Sequence, residues 1–99
     1  MVVNCFYDEC TDYADIIYIP EFDYNINEIQ NQFFRWMFDK QNDHKYWLIA
    51  DGEKVACRYG TCAFVEWVNE NLLSKSAEKA YMIEENATEW NDENISLFF

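Results

Sequence analysis

The chain has 99 residues and a formal net charge of −12, and 51% of it is hydrophobic and 19% aromatic. This aromatic content argues against disorder, because disordered acidic chains are poor in large apolar residues, and the acidity disfavours direct binding to nucleic-acid phosphates. Because the sequence has neither an apolar run of the roughly 20 residues that a membrane helix needs nor a signal-peptide pattern, we expect one soluble cytoplasmic domain over residues 1–99, with no membrane contact.

The charge is unevenly distributed. Residues 1–34 carry seven acidic side chains and no basic one, residues 80–99 carry five and no basic one, and residues 35–79 carry seven of each sign. Such asymmetry is typical of an interaction surface. The alternative is that acidic ends simply keep an aromatic-rich domain in solution.

The first two predicted elements are strands. Val2–Tyr7 is rich in β-branched and aromatic residues, and Asp15–Ile19 is a second such run that stops at Pro20. The polar stretch between them, residues 8–14, predicts a loop, which is long for a hairpin.

A first helix is predicted after Asn25, a residue type favoured at the N-cap, with Glu28 at the third helical position as in a capping box. Apolar residues then recur at helical spacing, namely Ile26, Ile29, Phe33 and Met37. Trp36 and Phe38 lie at the two edges of a broad apolar face. We interpret both as core residues, with a contribution to a partner site as the alternative.

A hairpin and a second helix follow. Asp51-Gly52 between the strand-like runs 46–50 and 53–59 predicts a two-residue type I′ turn. Thr61 is a candidate N-cap for a helix over residues 62–73. The predicted core stripe of this helix is Phe64, Val65, Val68 and Leu72.

Residues 79–83 predict a final strand. Residues 84–99 form an acidic C-terminal segment with one short helical turn predicted around 87–90 and an apolar end. The element order ββαββαβ predicts a two-layer α+β domain, with a mostly antiparallel sheet of about five strands and two helices on one face. The order of the strands in the sheet stays open.

The four cysteines fall in two pairs of equal spacing, Cys5-x4-Cys10 and Cys57-x4-Cys62. Structural zinc sites usually have tighter knuckles within turns, and a disulfide framework is not expected without a signal peptide. We therefore interpret the cysteines as reduced and structural, with zinc and a disulfide as alternatives. The single histidine, His44, could form a dyad with Cys57, but a lone loop histidine is usually a solvated turn residue.

Other catalytic and metal patterns are missing from the sequence. The acid-dense stretch 8–15 lacks the alternating Asp/Asn pattern, the central Gly and the terminal Glu of an EF-hand loop. There is no glycine-rich phosphate loop and no basic patch. We expect no enzymatic activity, no catalytic or metal site and no cofactor.

Carboxylates and tyrosines interleave in the acidic N-terminal third of the chain. Carboxylates spaced along a small rigid domain can imitate nucleic-acid phosphates, and tyrosine adds contact area at low entropic cost. The predicted function is that of an inhibitor that occupies the basic nucleic-acid-binding surface of a partner. The predicted contact residues are Asp8, Glu9, Asp12, Tyr13, Asp15, Glu21, Asp23, Glu84, Glu85 and Glu89.

In size, charge and aromatic content the chain resembles small acidic α+β proteins of phages and mobile elements, among them anti-CRISPR proteins. This resemblance implies a basic nucleic-acid-binding partner, for example a CRISPR effector. It is a resemblance of composition, and no motif places the chain in a named family.

The C-terminal residues Asn94-Ile95-Ser96-Leu97-Phe98 are similar to the clamp-binding peptides of bacterial replication and repair proteins, which run Gln-Leu-(Ser/Asp)-Leu-Phe. Asn94 stands where those peptides have Gln, one methylene shorter. The resemblance implies, as the alternative function, an adaptor that inserts Leu97 and Phe98 into a pocket of a DNA sliding clamp. The competing interpretation is that Ile95, Leu97 and Phe98 pack on the domain as a last edge strand.

Overall fold

A computed structural model describes residues 1–7, 10–21, 25–39, 47–57 and 60–99. The elements in chain order are β1 (Val2–Tyr7), β2 (Cys10–Tyr18), α1 (Ile26–Phe38), β3 (Trp47–Ala50), β4 (Glu53–Cys57), α2 (Thr61–Asn71), β5 (Tyr81–Ala87) and β6 (Ile95–Phe98). Four residues with predicted roles lie outside the described residues: Asp8, Glu9, Asp23 and His44. The side chains of Met37, Phe38 and Cys57 also lie outside the described part, so their predicted core positions and the proposed His44–Cys57 pair stay predictions.

The α+β class is confirmed, but the sheet differs from the predicted one. Four strands form a mixed sheet in the order β5-β2-β1-β6, in which β1 pairs antiparallel with β2 and parallel with β6, and β2 pairs antiparallel with β5. β3 and β4 form a separate two-stranded sheet. The prediction of a single sheet of about five strands is therefore wrong, because local alternation of apolar residues does not say with which strand a hairpin pairs.

The first strand pair is longer than predicted. β2 begins at Cys10, so most of the predicted loop over residues 8–14 is strand. The register shifts between Cys5 and Tyr7, which marks a bulge near the end of β1. The hydrogen bond from the Ile19 N–H to the Met1 carbonyl continues the pairing beyond Tyr18.

The start of α1 and the turn of the hairpin agree with their sequence signals. The Asn25 side chain accepts a hydrogen bond from the Asn27 N–H at 2.8 Å, which confirms Asn25 as the N-cap. Asp51 and Gly52 have φ values of 52° and 80°. A positive φ at both central residues is the requirement of a type I′ turn.

The two helices cover one face of the sheet. Side chains alternate across a strand, and Val3, Cys5 and Ile17 belong to the same buried cluster as the helical residues Phe33 and Phe64. The rings of Phe33 and Phe64 lie edge to face, 5.5 Å apart, and join α1 to α2. Other members of the cluster are Ile26, Ile29, Trp67, Val68 and Leu97, while Trp36, Val65 and Leu72 are partly buried against it.

The opposite face of the sheet is covered in part by the segment between β5 and β6. Asn4, fully buried, donates through Nδ2 to the Asn91 carbonyl at 2.8 Å. The Trp90 ring packs edge-on against Phe6 with centroids 5.3 Å apart. The prediction of a helical turn over residues 87–90 is wrong, because Ala87 ends β5 and Trp90 is used to cover β1.

Candidate partner interface

The sheet brings the two acidic ends of the chain together. β1 and β2 come from the first acidic segment, and β5 and β6 come from the last. β5 pairs with β2, and β6 pairs with β1, so every strand of the four-stranded sheet comes from an acidic end. The sequence leaves the order of the strands open. In the structure the first strand, β1, and the last strand, β6, are neighbours.

The register places acidic residues of both segments along the β2–β5 pair. Glu84 is opposite Ile16, and Ala87 is opposite Ala14. Ala87 is the last residue of β5. Asp12 lies two residues before Ala14 on β2, so it is located at the end of the sheet where β5 ends. At about 3.3 Å per residue, Asp12 and Ile16 are roughly 13 Å apart along the strand.

Most of the predicted contact residues that the structure describes are exposed. We use the term acidic surface for those predicted contact carboxylates that are exposed in the structure. Its members are Asp12, Glu21, Glu84, Glu85 and Glu89. Tyr13, next to Asp12 on β2, is 54% exposed. Within the described residues, no lysine or arginine pairs with Glu84 or Glu85.

Asp15 is not part of this surface, although the sequence suggested that it contacts a partner. Its side chain is 5% exposed, and its carboxylate accepts a hydrogen bond from the Asn86 N–H at 2.9 Å. Asn86 has a φ of 53° and lies where the β2–β5 register shifts. Asp15 therefore stabilises a bulge in β5 from inside the fold.

A polar cluster joins the end of β1 to the start of α2. The Tyr7 hydroxyl donates to Thr61 Oγ1 and accepts from the Thr61 N–H. Thr61 was predicted as the N-cap, but Gly60 occupies that position and makes no side-chain cap. The phenol of Tyr7 thus accepts from one of the first N–H groups of α2, which have no partner within the helix. A Cβ at Gly60 would lie 3.0 Å from the Tyr7 ring, so a side chain here would have to displace the ring by a few tenths of an ångström.

Burial controls protonation in the same cluster. It raises the pKa of the Cys5 thiol to about 12, against the opposing effect of a hydrogen bond with Thr61. Burial also raises the pKa of Tyr7 above its usual value and outweighs the Thr61 hydrogen bonds that lower it. Both groups are therefore protonated at neutral pH, and Cys5 is not an activated nucleophile.

A cleft of about 340 Å³ opens beside this cluster. Its walls come from β1, β2, β5 and the start of α2, and include Tyr7, Asp15, Gly60, Cys62, Glu85 and Asn86. Cys10 and Cys62 are exposed, whereas Cys5 is buried. No group of three or more His, Cys, Asp or Glu side chains in the described ranges is placed to hold a metal ion.

Comparison with protein-family models, curated proteins and solved structures found no match. The function is therefore inferred from the arrangement of the described residues alone. Among these residues, no helix has the length and apolar character needed to span a membrane.

The C-terminal peptide is built into the fold. β6 pairs with β1, Leu97 is 1% exposed, and the Phe98 carbonyl accepts a hydrogen bond from Gln30 of α1 at 2.8 Å. The side chain of Asn94, which would stand for the anchoring Gln of a clamp peptide, faces Asn4 at 3.5 Å. Insertion of Leu97 into a clamp pocket would require β6 to leave the sheet, so clamp binding stays a prediction that this packing does not favour.

The structure also has an exposed aromatic patch near the acidic surface, which we did not predict from the sequence. The rings of Tyr18 on β2 and Tyr81 on β5 stack with centroids 5.1 Å apart. Tyr81 is 55% exposed, and Ile83 and Val2 are also exposed. The signal was present in Tyr81-Met82-Ile83, because three apolar residues in a row on a strand must place some of them on the face away from the core.

Proposed function

We propose that this protein is a non-enzymatic binding module whose acidic surface occupies a basic, nucleic-acid-binding site on a partner protein. The observation that supports this most is the pairing of β2 with β5, which joins the two acidic segments in one sheet. The proposed cellular location is the cytoplasm, and the proposed partner class includes CRISPR effectors.

The mechanism is competition. Arg and Lys side chains that normally contact phosphates pair instead with Asp12, Glu84, Glu85 and Glu89. The sheet fixes the backbone positions of Asp12, Glu84 and Glu85, so little backbone entropy is lost when these residues bind. Pairing also releases the counter-ions held by both surfaces, so the affinity falls as salt is added.

The test is binding at low and at high salt to basic nucleic-acid-binding proteins, together with displacement of DNA or RNA from the partner that is bound. The triple variant Asp12→Asn, Glu84→Gln, Glu89→Gln removes three charges from the acidic surface. We expect it to bind about 3- to 150-fold more weakly at low salt and to show a shallower salt dependence, since each exposed pair is worth about 0.2–1 kcal/mol and three together are worth about 0.6–3 kcal/mol.

A matched control separates a specific surface from general acidity. Glu28→Gln, Glu53→Gln, Glu66→Gln removes the same charge from exposed positions on α1, β4 and α2, outside the four-stranded sheet. It should keep most of the affinity and still displace nucleic acid. If both triple variants lose the same affinity, the charge serves solubility and the proposal is wrong.

A further inference from the structure

The exposed aromatic patch of the sheet is formed by residues from three neighbouring strands. Tyr81 pairs with Tyr18, and Tyr18 pairs with Val2, so the three side chains form one row across β5, β2 and β1. Val2 is 37% exposed and Ile83, two residues after Tyr81, is 49% exposed. Apolar side chains gathered in this way on one face, rather than scattered singly, are typical of an interaction site.

The edge of β5 is poorly suited to pairing with a further strand. The register between β2 and β5 shifts twice, between Ala14 and Ile16 and again between Ile16 and Ile17. Bulges of this kind twist an edge strand and discourage strand addition. A partner at this place therefore contacts side chains on the face of the sheet.

The negative charge of the chain indicates which kind of partner can bind to the aromatic patch. A second copy of this chain would bring another −12 into contact with the first, which opposes self-association through this face. Glu84 follows Tyr81 by three residues, and Glu85 follows directly. The nearest described base in the sequence, Lys79, directs its ammonium group to the Leu73 carbonyl. The patch is thus aromatic at its centre and acidic at its border.

We infer that the stacked pair Tyr18–Tyr81 is a platform for an arginine side chain of the partner. A guanidinium group stacks on an aromatic face and at the same time donates to a carboxylate, which an ammonium group does less well. Tyr81 supplies the exposed ring on which the guanidinium group stacks, and the Tyr18 ring packs against the other side of the Tyr81 ring. Glu84 supplies the carboxylate. This inference rests on the proposed function and makes arginine, rather than positive charge in general, the anchor of binding.

The experiment compares oligoarginine with oligolysine of equal length, both fluorescently labelled, by fluorescence anisotropy at low salt. We expect the wild-type protein to bind oligoarginine about two- to fivefold more tightly, as a contact of about 0.5–1 kcal/mol implies. Tyr81→Leu, which keeps an apolar side chain but no ring, should remove this preference. Tyr81→Phe, which keeps the ring, should retain it.

Tyr13→Leu is the matched control, since Tyr13 is 54% exposed on β2 and Tyr81 is 55% exposed on β5. Tyr13 is itself a predicted contact residue, so this variant is compared only by the ratio of oligoarginine to oligolysine affinity, which should keep the preference for arginine. Equal binding of the two peptides to the wild type, or equal loss in Tyr13→Leu and Tyr81→Leu, overturns the arginine platform while leaving charge-driven binding in place. Failure of both peptides to bind overturns the proposed function itself.

A second measurement does not depend on any variant. In NMR titrations of the wild-type protein with oligoarginine, the ring resonances of Tyr18 and Tyr81 should shift well before that of Tyr13. Shifts confined to Tyr13, or spread equally over the three rings, would contradict the inference.

Discussion

The hydroxyl of Tyr7 holds the start of α2 against the sheet, and its removal is the sharpest test of how this fold is stabilised. In Tyr7→Phe the ring stays, with its contact to Phe99 at 5.9 Å between centroids, so no cavity forms. Only the oxygen is lost. The Thr61 N–H then loses its acceptor, and Thr61 Oγ1 loses the Tyr7 hydroxyl as a donor.

The expected cost follows from burial. Thr61 is 0% exposed, so its N–H is a buried donor. A buried donor left unsatisfied costs about 1–3 kcal/mol. For a domain of this size each kcal/mol lowers Tm by about 4–8 °C, so we expect Tm to fall by roughly 8–16 °C for a loss near the middle of that range.

The assay is urea denaturation followed by far-UV circular dichroism, with a thermal melt in parallel. Tyr13→Phe makes the same chemical change at an exposed position and should alter the free energy of unfolding by less than about 0.5 kcal/mol. If Tyr7→Phe is as stable as Tyr13→Phe, the phenol does not serve as the acceptor for Thr61 and our account of the α2 start is refuted.

Two further predictions concern Cys5 and Leu97. Because the folded-state pKa of Cys5 is about 12 and its ordinary value is 9.0, the unfolded chain loses this proton first as the pH rises. The stability that the protonated Cys5 thiol contributes to the folded state is complete below pH 9.0 and is lost as the pH rises toward 12. Urea unfolding from pH 9.0 upward should therefore show falling stability in the wild type and in Cys10→Ala, and a shallower fall in Cys5→Ala; equal slopes in all three would contradict the shift. Leu97→Ala should cost about 2–5 kcal/mol by urea unfolding, whereas Ile95→Ala, at a half-exposed position of the same strand, should cost much less, and a similar small loss in both would favour a detachable tail.

Local signals predicted those parts of the fold in which neighbouring residues decide the structure. Asp51-Gly52 has the backbone freedom that its turn requires, and Asn25 carries its own capping oxygen. Thr61 shows the limit of such signals. Its residue type is right for a cap, but its hydroxyl contacts Tyr7, which lies 54 positions earlier in the chain.

The differences in the sheet have the same origin. The acidic residues between 8 and 14 suggested a loop, whereas pairing with β1 and β5 makes most of this stretch a strand. β6 was predicted only as the competing interpretation of the C-terminal peptide, and its place beside β1 was not predicted, because it is short and owes its pairing to β1. Asp15 has the same residue type as Asp12, and only the bulge at Asn86 explains why one is buried and the other exposed.

The parallel pairing of β1 with β6 has a consequence for how the protein is made. The paired residues Val3 and Ile95 are about 90 positions apart, so β1 leaves the ribosome long before its second neighbour exists. Until then one side of β1 is an open edge, and Phe6 lacks the cover that Trp90 supplies. Closing so long a loop is entropically costly and slows folding. The nascent chain therefore exposes an aggregation-prone strand during translation, and its demand for chaperones should end only when β6 emerges.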